Sequence, residues 1–162
     1  MPIAIGAKIP NVSLFEMGEA GPGAIESDSV FGGKKIAMFG VPGAFTPTCH
    51  QKHVPSFIES AEALKAKGID QIVCVAVNDP FVMKEWGAAS GGAEADIRFV
   101  GDSRSELAEA MDIVLDGGAV GLVKRLMRFS AIVDDGVVTA LNVEGAPGEM
   151  DVTSAEKLLQ QI

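Results

Sequence analysis

Cysteine and clustered positive charge are both scarce in this 162-residue chain, and no long apolar run occurs. The only cysteines are Cys49 and Cys74, which excludes a disulfide framework and fits a reducing, cytoplasmic setting. Thirteen Lys and Arg stand against 22 Asp and Glu, a net charge of −9. No basic block exceeds Lys124-Arg125 with Arg128, so a phosphate backbone has nothing to grip and nucleic acid is not an expected partner. No segment approaches the ~20 apolar residues a membrane span needs. Met1 to Pro10 lacks the charged and apolar regions of a signal peptide. A Gly-Lys-Ser/Thr sequence is also missing, which argues against a phosphate-cradling P-loop. What is present is balanced: 48% hydrophobic and 22% charged residues, enough for a substantial core in a single domain over 1–162.

Apolar strands alternate with helical patterns. The spacing predicts an N-terminal hairpin from Asn11–Phe15 to Ala24–Glu26, then a short helical turn at Ser27–Phe31. A first core strand follows at Lys35–Phe39 and a helix from Pro47 to about Lys67, closed by Gly68. Pro55 lies inside that helix and should kink it. Ile69–Val77 is continuously apolar, as for a strand covered on both faces. Asp79-Pro80 opens another helix; Ile97–Val100 is a strand, and Ser103–Met111 a helix with Glu106 placed for a capping box. Asp116-Gly117-Gly118 begins a glycine-rich loop. Met127–Val133 and Val137–Asn142 form a hairpin about Asp134-Asp135-Gly136, and Thr153–Gln160 is a last helix. This order gives an α/β chain with a central mixed β-sheet flanked by helices and extra N-terminal strands, the thioredoxin-like arrangement.

The chemistry concentrates in Gly40-Val41-Pro42-Gly43-Ala44-Phe45-Thr46-Pro47-Thr48-Cys49. This stretch leaves a core strand, turns through Pro42-Gly43, and brings a cysteine into the first turn of a helix. Thr46 suits the N-cap and Pro47 the first helical position. A thiol near the third position faces free backbone N–H groups and the positive end of the helix dipole, where it ionises more readily. That location favours a reactive Cys49 over a packed one. Cys74, in Ile72-Val73-Cys74-Val75-Ala76, reads as an inert core residue. Thr46 taken alone is an N-cap and Pro42 a turn residue. Arg125 and Arg128 both approach the C-terminal hairpin, and either could be a strand-edge charge. Arg98 reads as surface cover. His53, four residues after Cys49 on the same helix face, reads as packed beside the helix, with tuning of the thiolate or its pocket as the alternative, and His50 is exposed. Phe81 and Phe129 belong to the core, with Phe45 at the pocket rim.

Pro42-Gly43-Ala44-Phe45-Thr46-Pro47-Thr48-Cys49 followed by His53-Val54-Pro55-Ser56-Phe57 closely resembles the peroxiredoxin signature, and within it the type II, or peroxiredoxin-5-like, subgroup. Val77-Asn78-Asp79-Pro80-Phe81, Phe99-Val100-Gly101-Asp102 and Arg128-Phe129-Ser130-Ala131 extend the match along the chain. The resemblance implies a thiol peroxidase that reduces hydrogen peroxide and alkyl hydroperoxides in antioxidant defence. It implies Cys49 as the peroxidatic cysteine and Thr46 and Arg128, rather than Arg125, as its polar partners. Pro42, Gly43 and Phe45 would surround the substrate, Pro42 shielding the sulfur. No metal or organic cofactor is needed for a two-electron displacement at sulfur. Residues 144–162 contain no resolving cysteine, so an external thiol donor is expected, either glutathione with glutaredoxin or thioredoxin. A homodimer is also implied, with Phe45, Phe81 and Gly117–Leu122 as contacts. The rival reading is a non-catalytic redox sensor or holdase of the same fold.

Overall fold

Lys35, the expected start of the first core strand, opens an interior strand of a seven-stranded sheet. The computed structural model describes residues 1–162. Its strands are β1 (Ser13–Gly18), β2 (Gly21–Glu26), β3 (Lys35–Val41), β4 (Gln71–Ala76), β5 (Ile97–Gly101), β6 (Val114–Gly117), β7 (Val123–Leu126), β8 (Phe129–Asp134) and β9 (Val137–Val143). The helices are α1 (Ser27–Phe31), α2 (Val54–Ala66), α3 (Pro80–Ala89), α4 (Glu106–Ala110) and α5 (Ala155–Leu159). β3, β4 and β5 run parallel, whereas β8 joins β3 and β1 joins β5 antiparallel. The sheet is therefore mixed, and the N-terminal hairpin extends its edge.

Continuous apolarity in β3 and β4 has a direct cause. Ala37, Phe39 and Val41 join Cys74 and Trp86 in the core on one face, while Ile36 and Met38 join Val73, Phe31 and Leu107 on the other. Alternate side chains of a strand point to opposite faces, so a strand buried on both must be apolar throughout. Gly40 interrupts the series because the Phe129 ring lies against it; a Cβ there would stand 2.0 Å from a ring carbon. That close approach seats the start of β8, and with it the preceding Arg128. At the far end of β8 the Asp135-Gly136 turn has both residues at positive φ, as a two-residue hairpin requires.

Several expectations need correction. β1 and β2 run on into the glycine-rich turn and pair as far as Gly18 with Gly21. The stretch after Asp116 is more than a loop, because β6 and β7 form a separate two-stranded ribbon. Pro55 does not simply kink its helix. Residues Cys49–His53 form a π-turn that leads into α2, with the Val54 N–H bonded to the Cys49 carbonyl. Proline offers no N–H and its ring crowds the carbonyl four residues back; bonding over five residues loosens that turn and absorbs both problems.

Glu106 forms no capping box. Its carboxylate accepts from the Ser13 N–H in β1. The start of α4 is capped instead by buried Asp102, whose two oxygens accept from Leu107 N–H at 3.0 Å and Ala108 N–H at 2.9 Å. Burial raises the Asp102 carboxyl to about 6 against these two bonds, which favour the charged form. A carboxyl raised in the folded state gives stability that is full below its unfolded pKa, near 3.8, and lost as pH climbs through about 6. Asp102→Asn removes the titration. The unfolding free energy of wild type relative to Asp102→Asn should therefore fall by roughly 3 kcal/mol between acidic and neutral pH. Denaturant melts across that range check it, and a flat difference rejects it.

Candidate active site

Cys49 opens the π-turn with its side chain fully buried. It is not enclosed by hydrocarbon alone. Thr46 Oγ1 lies 2.8 Å from Sγ, and Arg128 Nη2 donates to the same sulfur at 3.2 Å. Sequence separations of 3 and 79 residues thus close on one atom. β3 delivers the loop that carries Thr46, and the residue before β8 delivers the guanidinium.

Thr46 stands at the expected N-cap position, its carbonyl accepting from His50 N–H at 2.9 Å, but its side chain bonds no backbone N–H of the helix start. Its hydroxyl faces the Gly43 carbonyl at 2.7 Å and the sulfur. The carbonyl can only accept, so the single hydroxyl proton has two competing destinations. With Cys49 protonated, S–H donates to Oγ1 while Oγ1–H donates to Gly43. With Cys49 ionised, the hydroxyl can turn its proton to sulfur. Thr46 therefore follows the charge state of Cys49 without moving.

Arg128 is buried. Its Nη2 also donates to the Pro147 carbonyl at 3.0 Å, and Nη1 lies 3.1 Å from His53 Nδ1. Arg125, the other candidate, faces elsewhere: its Nη1 donates to the Pro42 carbonyl at 3.0 Å and its Nε to Leu122. It ties the loop after β3 to the ribbon rather than touching sulfur. Arg98 makes a two-pronged pair with Glu16 across β1 and β5, away from Cys49. Both histidines have specific partners. His53 is buried as expected but bonds the arginine, and its Nε2 lies 2.9 Å from the Thr153 carbonyl. His50 is only partly exposed, because its Nδ1 accepts from Trp86 Nε1–H at 3.0 Å.

A cleft of about 290 Å³ opens above the sulfur's partners, walled by Pro42, Thr46, Leu122, Arg128 and Pro147. Of the three residues expected around a substrate, Pro42 lines it, whereas Gly43 and Phe45 do not. Gly43 lies behind Thr46 and contributes its carbonyl. Phe45 adopts a left-handed backbone with φ 63°, uncommon outside glycine, and turns its half-exposed ring onto His50 with centroids 5.8 Å apart. Phe81, expected in the core, is 61% exposed on α3, and Val120 and Val123 are exposed beside the ribbon.

Cys74 sits in β4 between Phe39 and Phe99. Burial first, then the proximity of Cys49, raises its thiol well above the ordinary range, with Arg128 offsetting part of this. In place it is a poor nucleophile. Residues with no sequence signal complete the site. Pro147 and Thr153 present carbonyls from the segment after β9. Glu144 Oε1 fixes that segment by accepting from Val152 N–H, Thr153 N–H and Thr153 Oγ1. Asn78, within the matched stretch before α3, accepts from Ala44 N–H and so holds the loop from the other side.

The redoxin family model matches residues 4–159. Peroxiredoxin-2B of Arabidopsis thaliana is 45% identical over 163 residues, covering 99% of this chain and 99% of that protein. Among solved structures, reduced Prx3 of Vibrio vulnificus in complex with hydrogen peroxide superposes with a TM-score of 0.91 at 41% identity, covering 98% of each chain. Peroxiredoxin 5 from Alvinella pompejana gives 0.86 at 29% identity, covering 99% of this chain and 97% of that one.

Because Thr46 bonds sulfur rather than helix amides, Thr46→Val should cost less stability than the ~1 kcal/mol of a lost N-cap. The same change should slow oxidation of Cys49 by hydrogen peroxide by about 10²-fold, whereas Thr46→Ser stays within a few fold of wild type. Thermal melts paired with stopped-flow oxidation separate the two roles.

Proposed function

The chain belongs to the peroxiredoxins of the redoxin family and is a thiol-dependent peroxidase, and from that premise we propose that Cys49 is its peroxidatic residue, with Thr46 and Arg128 as its polar partners. The observation that carries this is the convergence of a hydroxyl and a buried guanidinium on one sulfur.

The reaction follows from the geometry. The Cys49 thiolate attacks the terminal oxygen of a hydroperoxide, an S–O bond forms, and the O–O bond breaks. Sulfur is oxidised to sulfenic acid, and the departing oxygen leaves as alkoxide or hydroxide that takes up a proton. Negative charge moves from sulfur toward the leaving oxygen. Arg128 is already beside the starting charge and stays cationic throughout, so it can follow the charge along that path. Thr46 supplies a hydroxyl that accepts or donates as the peroxide proton requires. Pro42 closes one wall without adding a competing N–H donor.

Return of the sulfenic acid to thiol calls for an external donor. One thiol condenses with it, releasing water and leaving a mixed disulfide; a second thiol displaces Cys49 as thiolate. The buried, strongly protonated Cys74 supports this route over an internal one. Glutathione with glutaredoxin, or thioredoxin, fills the donor role in a cytoplasmic setting. The exposed Phe45, Phe81 and Val120 are the apolar residues offered to a homodimer packed near the two sites.

Cys49→Ser should abolish peroxide consumption and Cys74→Ser should preserve it. Oxidation without donor should yield sulfenic or sulfinic Cys49 by mass spectrometry; a quantitative Cys49–Cys74 crosslink would overturn the external-donor route. Arg128→Ala should slow peroxide reduction by about 10²- to 10³-fold, and Arg125→Ala by far less. Equal losses would mean that contact with sulfur is not what matters.

A further inference from the structure

His53 is buried against the Phe39 and Phe57 rings, at centroid distances of 5.0 and 5.6 Å, where a core residue would suffice. Its two ring nitrogens nevertheless have partners that leave it a single protonation state. The Thr153 carbonyl can only accept, so Nε2 carries the hydrogen. Arg128 Nη1 can only donate, so Nδ1 presents its lone pair. Burial first, and the adjacent guanidinium second, hold the imidazole down at about 3, so the ring is neutral.

Arg128 depends on that lone pair. Its Nε has no partner, and both of its other anchors, Sγ and the Pro147 carbonyl, are on Nη2. With Nη2 alone held, the planar guanidinium could pivot about that nitrogen. The bond from Nη1 to His53 is the second point that fixes the plane. The ring is itself fixed through Thr153, whose N–H and hydroxyl are held by Glu144, while the Glu144 N–H returns to the Arg128 carbonyl at 3.0 Å.

We propose that His53 is a positioning residue for peroxide reduction, its Nδ1 lone pair setting the plane of the Arg128 guanidinium so that Nη2 stays aimed at the Cys49 sulfur. This rests on Cys49 and Arg128 holding the roles given above. It assigns His53 no proton transfer: the ring stays neutral and acts through the arginine.

The test compares single-turnover oxidation of Cys49 by hydrogen peroxide in His53→Leu, His53→Asn, Arg128→Ala and the His53→Leu/Arg128→Ala double variant. Leucine removes the acceptor, whereas asparagine can place Oδ1 near the Nδ1 position. His53→Leu should slow oxidation by about 10- to 100-fold, and His53→Asn should recover to within about threefold of wild type. In the absence of the Arg128 side chain, His53→Leu should add less than about twofold. A His53→Leu rate within about twofold of wild type, failure of asparagine to rescue, or multiplied losses in the double variant would each overturn the proposal. Nitrogen-15 spectra of histidine in the unaltered protein decide it without any substitution at His53. They should show a neutral Nε2–H ring whose Nδ1 signal shifts toward a free acceptor in Arg128→Ala; an Nδ1–H ring, or no shift, rejects it. If wild-type Cys49 resists peroxide, the functional reading fails, and the spectra still judge the arrangement of His53 and Arg128.

Discussion

A guanidinium without a carboxylate partner sits at the centre of this molecule. Arg128 is buried, and none of the ion pairs in the structure includes it. Removing a cation from water costs several kcal/mol unless charge and hydrogen bonds replace the lost hydration. The groups that meet Arg128 are two neutral acceptors, the Pro147 carbonyl and the His53 ring, and the sulfur of Cys49. Of these, only sulfur can carry a compensating negative charge. The buried cation and the sulfur of the candidate nucleophile thus share one contact.

The surrounding fold reads as the means of holding that contact. The two-faced core strands β3 and β4 give a rigid floor. Gly40 admits the Phe129 ring, which seats Arg128 at the mouth of β8. The π-turn ahead of Pro55 sets Cys49 and His53 on the side that meets the arginine. The segment after β9 then closes over the guanidinium with the Pro147 carbonyl, its own conformation fixed by Glu144. A carbonyl suits this position because it accepts from Nη2 of Arg128 without competing for its charge. A nearby carboxylate would have made the sulfur redundant as counter-charge.

Cys74 shows how position separates two residues of the same kind. Both cysteines lie in one core cluster. Cys49 is reached by a hydroxyl and a cation, while Cys74 has strand neighbours on either side and a thiol kept protonated by burial. Reactivity here is a property of surroundings, since burial alone is shared by both.

The sequence by itself determined the strands of the main sheet, their mixed order, and the candidate cysteine. Apolar runs such as 72–76 and turn residues such as Asp135-Gly136 act over a few neighbours, so their patterns are local and legible. The loop Pro42–Cys49 was legible for the same reason, and its resemblance to a family signature selected Arg128 over Arg125. Tertiary structure alone decided what each polar atom of the site would face. The Thr46 hydroxyl bonds sulfur instead of a helix amide, Asp102 displaces Glu106 as the cap of α4, and the packed ring of His53 also meets Arg128. Phe45 turns from the cleft beside Cys49 to His50, and Pro147 and Thr153 arrive from the far end of the chain. The reason is physical: a hydrogen bond is set by direction and distance to within a few tenths of an ångström. Partners 75 to 100 residues apart reach such geometry only once the whole sheet is assembled.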